Sequence, residues 1–194
     1  MSDQIIIDLL NKTGVIMEGH FLLTSGRHSS RFLQFSQLLQ YPEYAGSLCH
    51  LMAEPFRDKA VEVVIGPAMG GLILAYELAR TLGAKALYAE PSEDKMILRR
   101  GFRVEAGEKV LVVEDAVTTG GSVQKVIDLL KSCEAEIIGV AVIVDRSAGN
   151  LNLGVPTKAL LKMQIESFEP ETCPLCQAGQ PLQKPKGRPK SPKS

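Results

Sequence analysis

Two adjacent acids and a run of hydroxyls and glycines follow one strongly apolar segment of this chain. Val110–Val113 precedes Glu114 and Asp115, and the chain continues as Ala116-Val117-Thr118-Thr119-Gly120-Gly121-Ser122. Glycines allow successive backbone N–H groups to converge on one point, and a helix that starts there adds positive potential. Such a loop can bind a phosphate without a lysine. The two carboxylates can accept ribose hydroxyls or hold a hydrated magnesium ion.

A simpler interpretation of this segment is an ordinary strand-to-helix turn. Its hydroxyls would then cap the helix and its acids would face solvent. The coincidence of strand, acid pair, hydroxyl-glycine loop and helix favours the phosphate site. The segment contains neither the Gly-Lys-Ser/Thr of a Walker loop nor a Gly-x-Gly-x-x-Gly fingerprint.

The elements around this loop predict an α/β fold. Continuous apolar strands that alternate with helices indicate a mostly parallel sheet covered on both faces. In such sheets ligands bind at the carboxyl ends of the strands. Strands are predicted over 61–65, 86–89, 109–113, 137–144 and 158–165, with helices over 72–82 and from Gly121 to 132.

The first 58 residues have a different pattern. Apolar residues at helical spacing predict a helix over 4–17. Residues 20–36 read as strand, polar turn and strand, and Pro42 opens a helix that extends to about Asp58.

Composition and charge limit the classes of function. A chain of 194 residues with 45% hydrophobic residues suits one domain. The longest uncharged stretch, 63–76, is interrupted by Gly66-Pro67 and Gly70-Gly71, so we expect no membrane span and a cytoplasmic location. Before Lys184 the chain has 17 basic and 22 acidic residues. This balance argues against general nucleic-acid binding but permits a polyanionic small molecule.

The C-terminal region has a composition of its own. Cys173-Pro-Leu-Cys176 has zinc-knuckle spacing, but a structural zinc site needs four ligands. A turn with reduced thiols is the favoured interpretation, and two chains sharing a metal is the alternative; no metal ligand is predicted. Residues 184–194 are basic, lack apolar residues and are predicted to be disordered. Two parts are expected, a domain over 1–170 and a terminal segment over 171–194.

The segment Val110–Ser122 closely resembles the phosphoribosyl pyrophosphate motif of type I phosphoribosyltransferases. The resemblance implies that Glu114 and Asp115 contact the ribose hydroxyls and that the following loop holds the 5-phosphate. It also implies the type I fold, a central parallel sheet with a small N-terminal hood formed by about residues 1–40 and a C-terminal strand.

Three further segments resemble the orotate phosphoribosyltransferases in particular. Gly19–Phe32 is similar to the hairpin of the base-binding hood, and Gly66–Gly71 is similar to the pyrophosphate loop. Val144-Asp145-Arg146 ends a strand where this family places an arginine that binds the orotate carboxylate. The alternative for Arg146 is a surface arginine paired with Asp145 or another acid.

The chain departs from the family in its basic residues. Many relatives have a lysine where this chain has Thr24, and another where it has Gly70. The stretch that corresponds to the catalytic loop, 89–101, has few basic residues. Lys95 is the preferred catalytic cation, and Arg99 and Arg100 are the other candidates, with surface charge at a strand edge as the alternative. This loop often reaches the neighbouring subunit in the family, which implies a homodimer.

The resemblance implies a magnesium-dependent glycosyltransferase. The expected reaction joins phosphoribosyl pyrophosphate and orotate to give orotidine 5′-phosphate and pyrophosphate, a step of UMP biosynthesis. Transfer to another base, and a regulator that binds phosphoribosyl pyrophosphate without catalysis, are the alternatives. The predicted catalytic residues are Lys95 and Asp115; the predicted substrate-binding residues are Phe32, Met69, Gly70, Arg99, Arg100, Glu114, Asp115, Ala116, Val117, Thr118, Thr119, Gly120, Gly121, Ser122 and Arg146.

Overall fold

The computed structural model describes residues 3–23 and 25–185. The described helices are α1 (Asp3–Lys12), α2 (Ser36–Leu39), α3 (Pro42–Ala53), α4 (Gly70–Leu82), α5 (Gly121–Ser132) and α6 (Pro174–Gln177), with 3-10 turns at Glu54–Phe56 and Pro170–Thr172. The described strands are β1 (Ile16–Leu22), β2 (His28–Leu33), β3 (Val63–Pro67), β4 (Lys85–Ser92), β5 (Lys95–Ile97), β6 (Lys109–Val117), β7 (Glu136–Asp145) and β8 (Thr157–Lys162).

Six of these strands form the central sheet, in the order β5-β4-β3-β6-β7-β8. Every neighbouring pair is parallel except β4 and β5, which form an antiparallel hairpin. The mostly parallel sheet predicted from the sequence is therefore confirmed. After β3, strands β4 and β5 extend the sheet on one side. The chain then returns to the other side of β3 as β6, and β7 and β8 extend the sheet there. This reversal creates a switch point between β3 and β6, where open α/β sheets bind their ligands.

Both faces of the sheet are buried, which explains why its strands are continuous apolar runs. Alternate residues of a strand point to opposite faces. Val63 and Ile65 pack in one cluster with Ile127 of α5. Val64 lies in the other cluster, with Leu74 of α4 and further residues of α1 and α3.

Several predicted boundaries were wrong. The first helix ends at Lys12 rather than residue 17, because Gly14 adopts a left-handed φ of 72° and β1 begins at Ile16. The helix predicted to reach Asp58 ends at Ala53 and continues only as a 3-10 turn. The last strand ends at Lys162 instead of residue 165.

The strand that precedes the phosphate loop is longer than predicted. β6 extends to Val117 instead of ending at Val113, because Glu114, Ala116 and Val117 remain paired with β7. The acid pair is therefore part of the sheet, which holds both backbones at the switch point.

A hairpin of β1 and β2 forms a separate two-stranded sheet, as the pattern over 20–36 predicted. The chain after β8 crosses this hairpin. The backbones of His28 and Phe168 exchange two hydrogen bonds of 2.8 and 2.9 Å, and the Gln183 N–H donates to the His20 carbonyl at 2.7 Å. Arg27 also donates to the Ser167 carbonyl at 2.6 Å. Residues on both sides of the predicted boundary at 170 therefore contact the hairpin.

Two predictions remain, the one on membrane spans and the one on the basic tail. Within the described part of the chain, every helix falls short of the length and apolarity that crossing a bilayer requires. Thr24 and most of the basic tail, 186–194, lie outside the described residues.

Candidate active site

A cleft of about 570 Å³ opens at the carboxyl ends of the central strands. It is enclosed by the end of β6, the loop that follows, the start of α5 and the β4–β5 hairpin. The structure therefore brings the predicted phosphate loop and the predicted catalytic lysine into one cleft. The lining residues are Pro91, Glu93, Lys95, Met96, Glu114, Ala116, Val117, Thr118, Thr119, Gly120, Gly121, Ser122, Val123 and Lys125.

The turn from β6 into α5 depends on Gly120. Its φ of 75° lies in the left-handed region, and its carbonyl accepts the Gln124 N–H at 2.8 Å. A Cβ at this position would lie 2.8 Å from the side chain of Leu153 and 2.9 Å from that of Leu151. A side chain is therefore excluded by both conformation and space. The first turn of α5 contains no acid, so its positive end is uncompensated within that turn and favours an anion.

Glu114 is buried and Asp115 is half-buried, and the pair has few partners. The carboxylate of Glu114 accepts the Asp115 N–H at 3.0 Å, and that of Asp115 accepts the Ala116 N–H at 2.6 Å. Burial raises the pKa of Glu114 well above its usual value, and the neighbouring charge of Asp115 raises it further. Burial also raises the pKa of Asp115 to about 6. Adjacent carboxylates with raised pKa values, one buried and one half-buried, indicate a functional site, since ionising both is costly unless a ligand contacts them.

The predicted pyrophosphate loop, Gly66–Gly71, lies directly against the acid pair. A Cβ on Gly70 would be 2.7 Å from the Asp115 carboxylate. The end of β3 and the start of α4 also approach closely, because a Cβ on Gly66 would clash with the carbonyl oxygen of Gly71. The Ala68–Met69 peptide bond is cis, and the Met69 side chain is 78% exposed. Asp115 therefore leaves no room for a side chain at position 70.

The segment predicted as a catalytic loop is a hairpin instead of an open loop. β4 and β5 pair through Ser92 and Lys95, and the turn between them contains Glu93 with a φ of 52°. Lys95 is exposed and lines the cleft. Arg100 forms an ion pair with Glu90, with 2.9 Å between Nε and Oε1. This pairing matches the alternative for that arginine, a charge at a strand edge.

Arg99, which follows the same hairpin, is exposed. Neither it nor Arg100 is among the residues that line the cleft. Lys125 does line it, one turn into α5, and was missed from sequence. Its position three residues after Ser122 on a helix was the available signal.

Arg146 lies at the end of β7, beside the loop. Its N–H donates to the Val117 carbonyl at 2.8 Å. Its side-chain Nε is buried and has no hydrogen-bond partner among the described residues, and none of their ion pairs includes it. The Asp145 carboxylate accepts the Ser147 N–H at 2.8 Å. Arg146 therefore does not form an ion pair with Asp145, which was the alternative interpretation. Burial lowers the pKa of its guanidinium.

Phe32 of the hairpin does not line this cleft. Its side chain is half-buried, and its ring centroid lies 5.8 Å from that of Phe21 on the neighbouring strand. Arg146, Met69, Gly70 and Asp115 are likewise absent from the cleft lining, although Gly70 and Asp115 contact each other beside it.

Comparison with known proteins places this arrangement in a family. Residues 34–173 match the family model described as phosphoribosyl transferase domain. The chain is 52% identical to an orotate phosphoribosyltransferase of Desulforamulus reducens, over 97% of this chain and 98% of the relative. It is 51% identical to that of Thermotoga maritima, over 94% of this chain and 98% of the relative. The chain belongs to the orotate phosphoribosyltransferase family.

A solved structure of an orotate phosphoribosyltransferase from Aeropyrum pernix has the same fold. It superposes with a TM-score of 0.71 at 28% identity, covering 81% of this chain and 93% of that one. The resemblance drawn from the motifs and the predicted type I fold are thereby confirmed. Relative to the family model, the whole cleft, the Gly66–Gly71 loop and Arg146 lie inside the matched region. Phe32 and the hairpin that carries it precede that region.

Proposed function

We propose that this member of the orotate phosphoribosyltransferase family transfers the phosphoribosyl group of phosphoribosyl pyrophosphate to orotate, as a glycosyltransferase of pyrimidine synthesis. One observation supports this most strongly. The acid pair and the glycine-rich start of α5 meet the Gly66–Gly71 loop at the switch point of the sheet, in a chain half identical to orotate phosphoribosyltransferases over nearly its whole length.

The sugar phosphate is positioned by β6 and α5. Backbone N–H groups and hydroxyls from Ala116 to Ser122 hold the 5-phosphate at the positive end of α5. Glu114 and Asp115 accept hydrogen bonds from the ribose hydroxyls, which gives the buried carboxylates polar partners. With both ends of the ribose held, carbon 1 faces the base, and this positioning supplies part of the rate acceleration.

The leaving pyrophosphate gathers negative charge as the bond to carbon 1 breaks and the ribose becomes oxocarbenium-like. Backbone donors of the Gly66–Gly71 loop bind it, and Lys95 from the β4–β5 hairpin stabilises the developing charge. The carboxylate oxygens beside Gly70 fit Mg²⁺, so Glu114 and Asp115 would hold this ion through water or through the ribose hydroxyls. A bound Mg²⁺ would supply further positive charge to the diphosphate. No covalent intermediate on the protein is required.

Orotate binds beside carbon 1 through its carboxylate. Arg146 donates to this carboxylate with its guanidinium, whose buried Nε has no partner among the described residues. The hairpin with Phe32 contributes to the base side of the site. Arg146 also favours orotate over purines and uracil, because these bases carry no carboxylate.

A homodimer and a cytoplasmic location remain predictions. The dimer is implied by the resemblance of this segment to the catalytic loop of the family, whereas Lys95 lines the cleft of its own chain here. A reducing compartment is supported by the four free cysteines, which include Cys173 and Cys176 close together but not bonded.

The decisive assay follows orotate absorbance after purified protein is mixed with phosphoribosyl pyrophosphate and Mg²⁺. Adenine, hypoxanthine, xanthine and uracil are tested in parallel. We expect loss of orotate with release of pyrophosphate. Turnover of another base instead would overturn the specificity, and binding of phosphoribosyl pyrophosphate without turnover of any base would favour the regulator.

Replacing Lys95 by Ala is expected to lower kcat by about 10- to 100-fold and to change KM for phosphoribosyl pyrophosphate much less, because the lysine interacts with charge that develops in the transition state. Lys125→Ala should instead raise that KM, since α5 faces the bound phosphate. Steady-state kinetics with both substrates varied separate the two effects. Lys131→Ala, an exposed lysine at the far end of α5, is the matched control. Unchanged kcat in Lys95→Ala would exclude the catalytic role.

A further inference from the structure

Four side chains that could bind a metal meet outside the cleft. His20 and His28 come from β1 and β2, and Cys173 and Cys176 come from the segment that crosses the hairpin. One nitrogen or sulfur atom from each residue lies within 4.8 Å of those of the other three. None of the four lines the cleft, and His20, His28 and Cys176 lie outside the region matched by the family model. We propose that these residues form a structural zinc site that ties the C-terminal segment to the hairpin.

The distances suit a tetrahedral ion. His20 Nε2 is 2.9 Å from His28 Nδ1, 3.6 Å from Cys173 Sγ and 3.7 Å from Cys176 Sγ. Cys176 Sγ is 3.3 Å from His28 Nδ1. With zinc bonds of about 2.0 Å to nitrogen and about 2.3 Å to sulfur, tetrahedral ligand atoms stand about 3.3 to 3.8 Å apart. Among these four pairs, only the two nitrogens stand closer than this range and have to separate slightly, and the remaining pairs lie within 4.8 Å.

The surroundings of His20 orient it as a ligand. Its Nδ1 lies 2.8 Å from the Gln180 carbonyl oxygen, so Nδ1 carries the proton and donates to that oxygen. The lone pair of Nε2 then points toward His28 and the two sulfurs. Ligating histidines commonly have such a partner, which fixes both the tautomer and the ring orientation. Here the partner belongs to the same C-terminal segment that supplies the cysteines.

The ligand types select zinc. Two thiolates and two imidazoles in a tetrahedral arrangement are a known structural zinc set, whereas magnesium and calcium prefer oxygen ligands. Two thiolates also neutralise the charge of a divalent ion. A neutral site is compatible with the burial of His20, His28 and Cys173, which are 2%, 5% and 0% exposed.

The C-terminal segment needs such a link because it buries little. Among residues 166–184, all of which the structure describes, only Cys173 is buried. Backbone hydrogen bonds to His20, Leu22 and His28 place the segment on the hairpin, but its apolar contacts are few. Small units without a core are commonly stabilised by metals. The site is independent of the proposed reaction, and it fixes the hairpin that carries Phe32.

The test is the metal content of the full-length protein, purified with reductant and without chelators. We expect one zinc per chain by mass spectrometry. After zinc removal, addition of Co²⁺ should produce visible bands of a tetrahedral site and a near-ultraviolet thiolate-to-cobalt band. Half an equivalent per chain would indicate a site shared between two chains and would overturn the proposal. No zinc, together with no thiolate–cobalt band, would also overturn it.

A matched pair of cysteine variants locates the ion. Cys176→Ser should lower zinc affinity at least 10-fold and weaken the thiolate–cobalt band, because Cys176 is exposed and its replacement leaves the core intact. Cys133→Ser, a half-buried cysteine outside the cluster, should retain the wild-type stoichiometry. Full zinc binding by Cys176→Ser would place the ion elsewhere. Hydrogen exchange over 166–183 should accelerate in the zinc-free wild type, which provides a readout that does not depend on catalysis.

Discussion

Replacing Asp115 by Asn is expected to reduce transfer activity at least about 100-fold while stabilising the unliganded protein at neutral pH. The activity falls because a charged acceptor for the ribose hydroxyls is lost, and hydrogen bonds to charged groups are worth roughly 1.5 to 3 kcal/mol each. The stability rises because the half-buried carboxylate is costly to ionise. The two effects have one cause. Burial makes ionisation of the carboxyl unfavourable when no ligand is bound, and it also strengthens the hydrogen bonds of the carboxylate to a bound ligand.

The gain in stability should depend on pH in a defined way. Burial raises the pKa of Asp115 from 3.8 to about 6 in the folded protein. Below about pH 3 the carboxyl is protonated in both folded and unfolded states, so wild type and Asp115→Asn should be similarly stable. As the pH rises from about 3 to 6, the unfolded state ionises first and the wild type loses stability relative to the variant. Above pH 6 the difference should level off at roughly 2 to 3 kcal/mol.

Thermal unfolding without substrates, measured from pH 4 to pH 8, tests this expectation. A domain of this size shifts its Tm by about 2 to 4 °C per kcal/mol, so the variant should unfold roughly 4 to 12 °C higher at pH 8. Asp128→Asn, an exposed acid on α5, is the control and should show no such trend. A variant that is less stable than wild type at pH 8 would show that Asp115 stabilises the fold, contrary to the role proposed here.

Replacing Arg146 by Ala is expected to raise KM for orotate by about 30- to 150-fold, with little change in the affinity for phosphoribosyl pyrophosphate. A charge-assisted pair of hydrogen bonds to the orotate carboxylate would be lost, which corresponds to roughly 2 to 3 kcal/mol. Arg146→Lys should recover only part of this loss, because an ammonium group lacks the planar fork of the guanidinium. Initial rates over a range of orotate concentrations give KM for orotate. Direct binding measurements give the affinity for phosphoribosyl pyrophosphate.

The control for Arg146 is Arg103→Ala. Arg103 is exposed, and its ion pair within the described part of the chain is a long one to Glu105, with 3.7 Å between Nε and Oε1. The Arg103→Ala variant should leave KM for orotate and the affinity for phosphoribosyl pyrophosphate unchanged. Stability gives a second criterion: because the Nε of Arg146 is buried without a partner among the described residues, its removal should not destabilise the unliganded fold. An unchanged KM for orotate together with a lower Tm would assign Arg146 to the structure rather than to the substrate.

Much of the candidate site could be predicted from the sequence because its central part is continuous in the chain. The strand, the acid pair, the loop and the helix occupy 109–132, and their spacing alone places the acids beside the start of α5. The apolar runs also determined the α/β class, since strands buried on both faces have no polar side. The predicted ends of the helices and strands were less accurate than their types. The pairing of β6 with β7 extends the strand through two acids that by local propensity favour a loop.

Contacts between distant segments were decided only by the tertiary structure. The order β4-β3-β6 brings Gly70 against Asp115, and the β4–β5 hairpin brings Lys95 to the loop after β6. The spacing of these residues along the chain does not predict that they lie close together in space. Whether Arg146 has an acidic partner likewise depends on how the side chains around it pack.

The histidine–cysteine cluster shows this limit most clearly. In the sequence, Cys173 and Cys176 are two ligands without a second pair, so a turn with reduced thiols was the favoured interpretation. His20 and His28 lie about 150 residues earlier, and no periodicity links them to the cysteines. The backbone hydrogen bonds between the hairpin and the C-terminal segment bring the two pairs together. Sequence therefore determines chemistry that resides in one continuous segment, whereas sites assembled from distant segments depend on the strand order and packing of the folded chain.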